Sequence, residues 1–211
     1  MLTWRSFMRL FILLLFLFTV IGNPGCDCKT CNYTSYSFDV QASYNPGKDT
    51  VNVGDTLYLS STFATTLTDQ HSGKLVDYSN AKVIGSTLSF VKLVKGQDTA
   101  DAAVSKFNLI ALVGNIYSDE NLKTANTFQQ ITYQQTASEY DLKIAIIPKQ
   151  SGAYGLGIGD GLGEGQHNCE KAAFTITISN SDQHFKIYND YYPNANPSPE
   201  FKAKTFYFYV K

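Results

Sequence analysis

The sequence predicts an all-β protein, an antiparallel sandwich of about eight or nine strands with one short helix. Two observations carry that prediction. Apolar and polar residues alternate with period two in run after run, and turn residues punctuate the runs. Composition agrees: fourteen Tyr and fourteen Phe with only 17% charged residues suit half-buried strands.

The chain opens with "MLTWRSFMRLFILLLFLFTVIG", in which Arg5 and Arg9 precede an uncharged apolar run over 10–21 and then small residues. That is the order of a secretory signal. A bilayer-spanning helix needs roughly 20 apolar residues, and this run is shorter, so cleavage after Gly22 is the expectation. The chain then divides into a signal peptide (1–22), a cysteine-rich tether (23–32) and a single β-sandwich domain (33–211), long enough to bury one core.

Tyr36, Phe38, Val40, Ala42 and Tyr44 alternate with Ser37, Asp39, Gln41 and Ser43 as the first strand. "NPGKD" turns the chain, and Leu57, Leu59, Ser61 and Phe63 share one face of the next strand, after a bend at Gly54. Further strands are predicted over 82–94, 106–113 and 128–133. Tyr140, Leu142, Ile144 and Ile146 form one alternating run and Tyr154, Leu156 and Ile158 another; the intervening "PKQSG" predicts that they pair as a hairpin. Strands follow at 171–180, 184–188 and 205–211. Only "DTADAAVSKF" (98–107) has helical character, with Asp98 or Thr99 as cap. The predicted core includes Phe38, Val40, Leu57, Leu59, Leu142, Ile144, Phe174 and Ile176.

Two long insertions, 63–80 and 189–204, break this rhythm, and loops of that length are functional or mobile. The second carries Tyr191 and Tyr192 among prolines and asparagines, an arrangement that can offer aromatic faces to a sugar ring. The competing reading is a Pro-stiffened crossover whose tyrosines pack on the sandwich.

The four cysteines are Cys26, Cys28, Cys31 and Cys169. In an exported protein they read as disulfide candidates. Cys26 and Cys28 are poorly spaced to join each other, so one of the N-terminal three is expected to reach Cys169, a staple worth about 4–5 kcal/mol on the chain-entropy model. Cys26 is also a lipidation candidate: it lies just beyond the apolar run, and Gly25 fits the small-residue rule while Asn23 and Pro24 do not. Cys28, Cys31, His167 and Cys169 offer soft ligands, but a single C-x2-C lacks the paired spacing of a zinc motif. "CKTC" precedes a strand pattern rather than the helix that lowers a reactive thiol's pKa.

The glycine run "GAYGLGIGDGLGEGQHNC" (152–169) has neither phosphate-loop spacing nor a following helix, and reads as a strand running out into a loop. Asp160 and Glu164 fall short of a calcium loop. H-E-x-x-H, G-x-S-x-G and S-x-x-K are all absent, and His71, His167 and His184 are scattered. No catalytic residue, metal site or cofactor is therefore assigned. Asn32-Tyr33-Thr34 matches a glycosylation sequon. A net charge of −1 with dispersed acids and bases excludes a nucleic-acid partner, which requires a concentrated basic face.

"GCDCKTC", "VNVGDTLYLSSTF" and "SGAYGLGI" followed by "NCEKAAFTITI" resemble the uncharacterised exported β-sandwich proteins of the Bacteroidetes type, and "GDTL" is similar to a strand boundary of immunoglobulin-like surface domains. The resemblance implies an immunoglobulin-like sandwich and transfers no functional residue. The reading is an exported, non-enzymatic binding or interaction module in the envelope, periplasm or medium, with a glycan or protein ligand, and membrane-attached only through a lipid on Cys26. The alternatives are a glycan hydrolase, marked by two facing carboxylates, and a structural component that self-associates through 205–211, marked by a long unpaired edge.

Overall fold

The computed structural model describes residues 34–97, 99–117, 127–165, 169–181 and 184–211. The signal, Asn32, Cys26, Cys28, Cys31 and His167 lie outside them, and all elements below belong to one compact unit, residues 33–211. In chain order the strands are β1 (Thr34–Asn45), β2 (Thr50–Val51), β3 (Leu57–Ala64), β4 (Thr66–Thr68), β5 (Leu75–Asp77), β6 (Val83–Leu93), β7 (Asp101–Ala102), β8 (Phe107–Val113), β9 (Asn115–Tyr117), β10 (Phe128–Thr132), β11 (Gln134–Gln135), β12 (Glu139–Pro148), β13 (Gly152–Ile158), β14 (Gly161–Glu164), β15 (Glu170–Ile178) and β16 (Thr205–Val210). Two helices, α1 (Phe185–Tyr191) and α2 (Pro199–Ala203), separate β15 from β16.

The protein is mostly β, with 58% of the described residues in strands against 10% in helices, and its sheets do not close. Sixteen strands exceed the eight or nine expected because six of them hold only two or three residues. Elements that short are defined by their partners and carry no period of their own.

β1 joins two layers. Its first part pairs in parallel with β15, from Thr34↔Glu170 to Ala42↔Ile178, and its end pairs antiparallel with β3 at Ser43–Asn45. One layer continues from β15 through β14, β6 and β13 to β16 and β2; the other runs from β3 through β12 to β8 and β11. Their inner faces meet ring to ring. Phe63 on β3 lies 5.5 Å from Phe174 on β15, and Phe107 on β8 lies 5.4 Å from Phe90 on β6. All eight residues assigned to the core from alternation are buried.

Several expectations are corrected. The runs around "PKQSG" do not pair with each other: β12 lies between β3 and β8, whereas β13 lies between β6 and β16, so the connection crosses layers. The sheet is not purely antiparallel, since β1/β15 and β16/β2 are parallel. Within 98–107 there is no α-helix among the described residues; β7 pairs with Val91 and Lys92, extending the β6 ladder where β10 stops, and a 3-10 turn follows at Val104–Lys106. Tertiary pairing there overrides local propensity.

Residues 184–188 belong to a helix, not a strand. Phe185, Tyr188 and Tyr192 recur at helical spacing with rings 5.1 and 5.0 Å apart, a period that five residues cannot distinguish from alternation. The glycine run is strand beyond Ile158, as β14. A Cβ on Gly155 would meet the buried Tyr207 ring at 2.7 Å and one on Gly163 the Phe174 ring at 2.9 Å, so these glycines admit neighbouring rings rather than make turns. The 205–211 strand is not a free edge: β13 pairs along β16, β2 covers its end, and α1 packs over Tyr207.

Candidate functional site

Residues 189–204 fold over the outer face of β13 and β16. Phe185, Ile187 and Tyr192 bury against Leu93, Ala153 and Tyr207, a small second core under α1. The start of α1 is pinned by charge. Asp49 lies 2.7 Å from His184 Nδ1 and 2.7 Å from Lys186 Nζ, and the His184 ring rests on Phe206 at 4.3 Å. The helix ends before Pro193, which cannot continue it, and the Tyr192 N–H donates to the Tyr188 carbonyl.

This anchoring holds open a cleft of about 630 Å3 between the turn after β6 and the end of α1. Gly96, at φ +78, makes that turn. Lys95 and Gln97 line one side; Asp190, Tyr191 and Asn194 line the other. Lys95 Nζ lies 5.4 Å from the centre of the Tyr191 ring. Both sequence candidates line the cleft, and they differ in burial. Tyr192 is only 9% exposed, and its hydroxyl accepts from the Val94 N–H at 3.4 Å, while Tyr191 is half-buried beside the opening. A rigid, hydrogen-bonded Tyr192 supporting an accessible Tyr191, with an amide, a carboxylate and an ammonium around it, suits a ligand with an apolar face and polar edges.

No local pattern marks Lys95, Gln97 or Asp190 as site residues, nor Asp49, His184 and Lys186 as an anchor. The "KGQ" segment signals only a turn for the first two; the anchor depends on contacts far apart in sequence and has no such signal.

His184 is buried, and that burial lowers its pKa against the opposing pull of Asp49; Asp49 is itself lowered, chiefly by its hydrogen bond from Lys186. Both signs point one way. The unfolded chain takes up protons more readily than the folded one, so stability is full above the ordinary histidine value, about 6.5, and falls on acidification. The melting temperature is expected to drop between pH 7 and pH 5, and His184→Phe should flatten that slope; an unchanged slope would remove His184 as its source.

Two carboxylates do approach each other elsewhere. Asp160 and Glu200 each lie 2.7 Å from Lys204 Nζ, which ties α2 to the break between β13 and β14 and fills the space a scissile bond would need. Among the described residues no group of three His, Cys, Asp or Glu could hold a metal ion. Cys169 stands immediately before β15, and the other three cysteines fall outside the described residues. No helix among the described residues is long and apolar enough to cross a membrane.

No family model matches the chain, and no curated protein matches it. Among solved structures, the human F-spondin reeler domain aligns over 88% of this chain and 100% of its own at 7% identity, with a TM-score of 0.36. A type II cohesin in a cohesin–X-dockerin complex from Acetivibrio cellulolyticus aligns over 67% and 95% at 8% identity and a TM-score of 0.35. The second type II cohesin module of the ScaA scaffoldin from the same organism aligns over 57% and 75% at 10% identity and 0.30.

Proposed function

We propose that this protein is an exported, non-enzymatic binding module whose ligand, a glycan, docks in the cleft at Tyr191. The observation that carries the reading is the cleft itself: it lies on connecting segments braced against a rigid sandwich, where binding residues concentrate. A sugar ring would lay its C–H face on Tyr191 and turn hydroxyls toward Asp190, Gln97 and Asn194. Export is supported by the residue order of 1–22. Lipid attachment at Cys26 would hold the module at the membrane; intact mass of the mature protein distinguishes a diacylglyceryl cysteine from a free start at Asn23.

The test is a glycan array, followed by calorimetric titration of any retained glycan. Tyr191→Ala is expected to weaken binding at least about tenfold, the loss of one aromatic contact of roughly 1.4 kcal/mol, with a smaller drop in melting temperature than Tyr192→Ala, because Tyr191 packs only at the margin of the second core. Tyr192→Ala should lower the melting temperature further, since it empties part of the second core.

A further inference from the structure

The two sides of the sandwich are finished differently. On one side β1 passes through both layers, and the backbone of Tyr44 at its end is closed by a side chain: its N–H donates to Asn180 Oδ1 at 3.2 Å, and its carbonyl accepts from Asn180 Nδ2 at 2.8 Å. On the other side β8 pairs only with β12, and β9 pairs only with β10, among the described residues. Gly114, at φ +80, joins β8 to β9, so residues 107–117 border both layers in turn.

That border has a bulge at Leu112 and otherwise lacks the usual protections. Natural edge strands are kept short or carry charges, prolines or bulges. β2, β7 and β11 follow this rule at two residues each. β8 has seven, and "FNLIALVGNIY" contains neither a charge nor a proline. Its single irregularity is at Leu112, skipped between Ala111↔Ile144 and Val113↔Lys143, which leaves Phe107–Ala111 in regular register. Ile110 is 49% exposed, Leu112 50% and Tyr117 51%.

We propose that β8 is a self-association edge: a second copy of the chain adds its own β8 antiparallel across a twofold axis, so that one layer runs continuously through the dimer. The chemistry of the occupant follows from the edge. Unpaired main-chain donors and acceptors are matched by extended backbone, and antiparallel pairing of a strand with its own copy is self-complementary. Because 107–117 carries no charge, two copies paired about a twofold axis meet without like charges placed opposite each other on this strand. Outward Ile110 side chains then gain apolar neighbours across the seam.

The experiment is sedimentation velocity of the full exported chain over increasing concentration up to about 1 mM, the range of weak association. A concentration-dependent monomer–dimer equilibrium is expected, and Ile110→Lys should raise its dissociation constant at least about tenfold, with Asn108→Lys, exposed on the same strand, acting as the second variant. Leu162→Lys, at a still more exposed apolar position on β14, should leave it unchanged. Hydrogen exchange should show Phe107–Ala111 amides gaining protection with concentration. A chain that stays monomeric throughout, or a dimer indifferent to both lysines while melting temperatures hold, would overturn the proposal.

Discussion

Phe174→Ala should cost about 3–5 kcal/mol, the range for truncating a fully buried phenylalanine. At about 2–4 °C per kcal/mol for a chain of this size, the melting temperature should fall by about 6–20 °C. The ring has no exposure, and its position explains the size of the effect. It stands 5.3 Å from Phe38 on the neighbouring strand, 5.5 Å from Phe63 in the opposite layer and 6.0 Å from Tyr78. Removing it strips contacts from both layers at once, and the surrounding rigid rings have little freedom to close the cavity. Chemical denaturation checks it. A loss below about 0.5 kcal/mol, the scale of an ordinary surface change, would mean that the layers do not meet there.

The second large effect concerns the cysteines. We propose that one of Cys26, Cys28 and Cys31 bridges to Cys169, as compartment and placement suggest. The sandwich supports this: the Thr34 N–H donates to the Cys169 carbonyl at 2.9 Å, and Cys31 precedes Thr34 by only three residues, within about 10 Å of chain. Cys169→Ala is then expected to remove about 4–5 kcal/mol, or about 8–20 °C of melting temperature, and to leave ligand binding intact. Non-reducing peptide mapping identifies the partner. A free thiol at Cys169, or stoichiometric zinc in metal analysis, would contradict the bridge.

The long alternating strands were legible because burial on one face imposes a period of two that the residues must obey. Phe38 and Val40, Leu57 and Leu59, Leu142 and Ile144, and Phe174 and Ile176 were readable as core for that reason. Pairing was less legible. Nothing in "PKQSG" distinguishes a hairpin from a step between layers, because the same turn chemistry serves both. The glycines of β13 and β14 were misleading for a different reason: Gly155 and Gly163 are required by rings that arrive from Tyr207, Phe174 and Tyr78, residues remote in sequence. At the cleft, Tyr191 and Tyr192 were visible as aromatics in a long insertion. Their difference in burial depends on the helical turn of α1 and on Val94, which no local pattern announces.

Recognition is placed at Tyr191, at the margin of a second core whose buried members are Leu93, Ala153, Phe185, Ile187, Tyr192 and Tyr207. Glycan binding by the unaltered chain and by Tyr191→Ala, measured side by side with their melting temperatures, is the decisive comparison. A retained glycan is expected for the unaltered chain, lost or weakened at least about tenfold in the variant, with both proteins folded and melting cooperatively. An array with no retained glycan, or a glycan bound equally by both proteins, would contradict that placement.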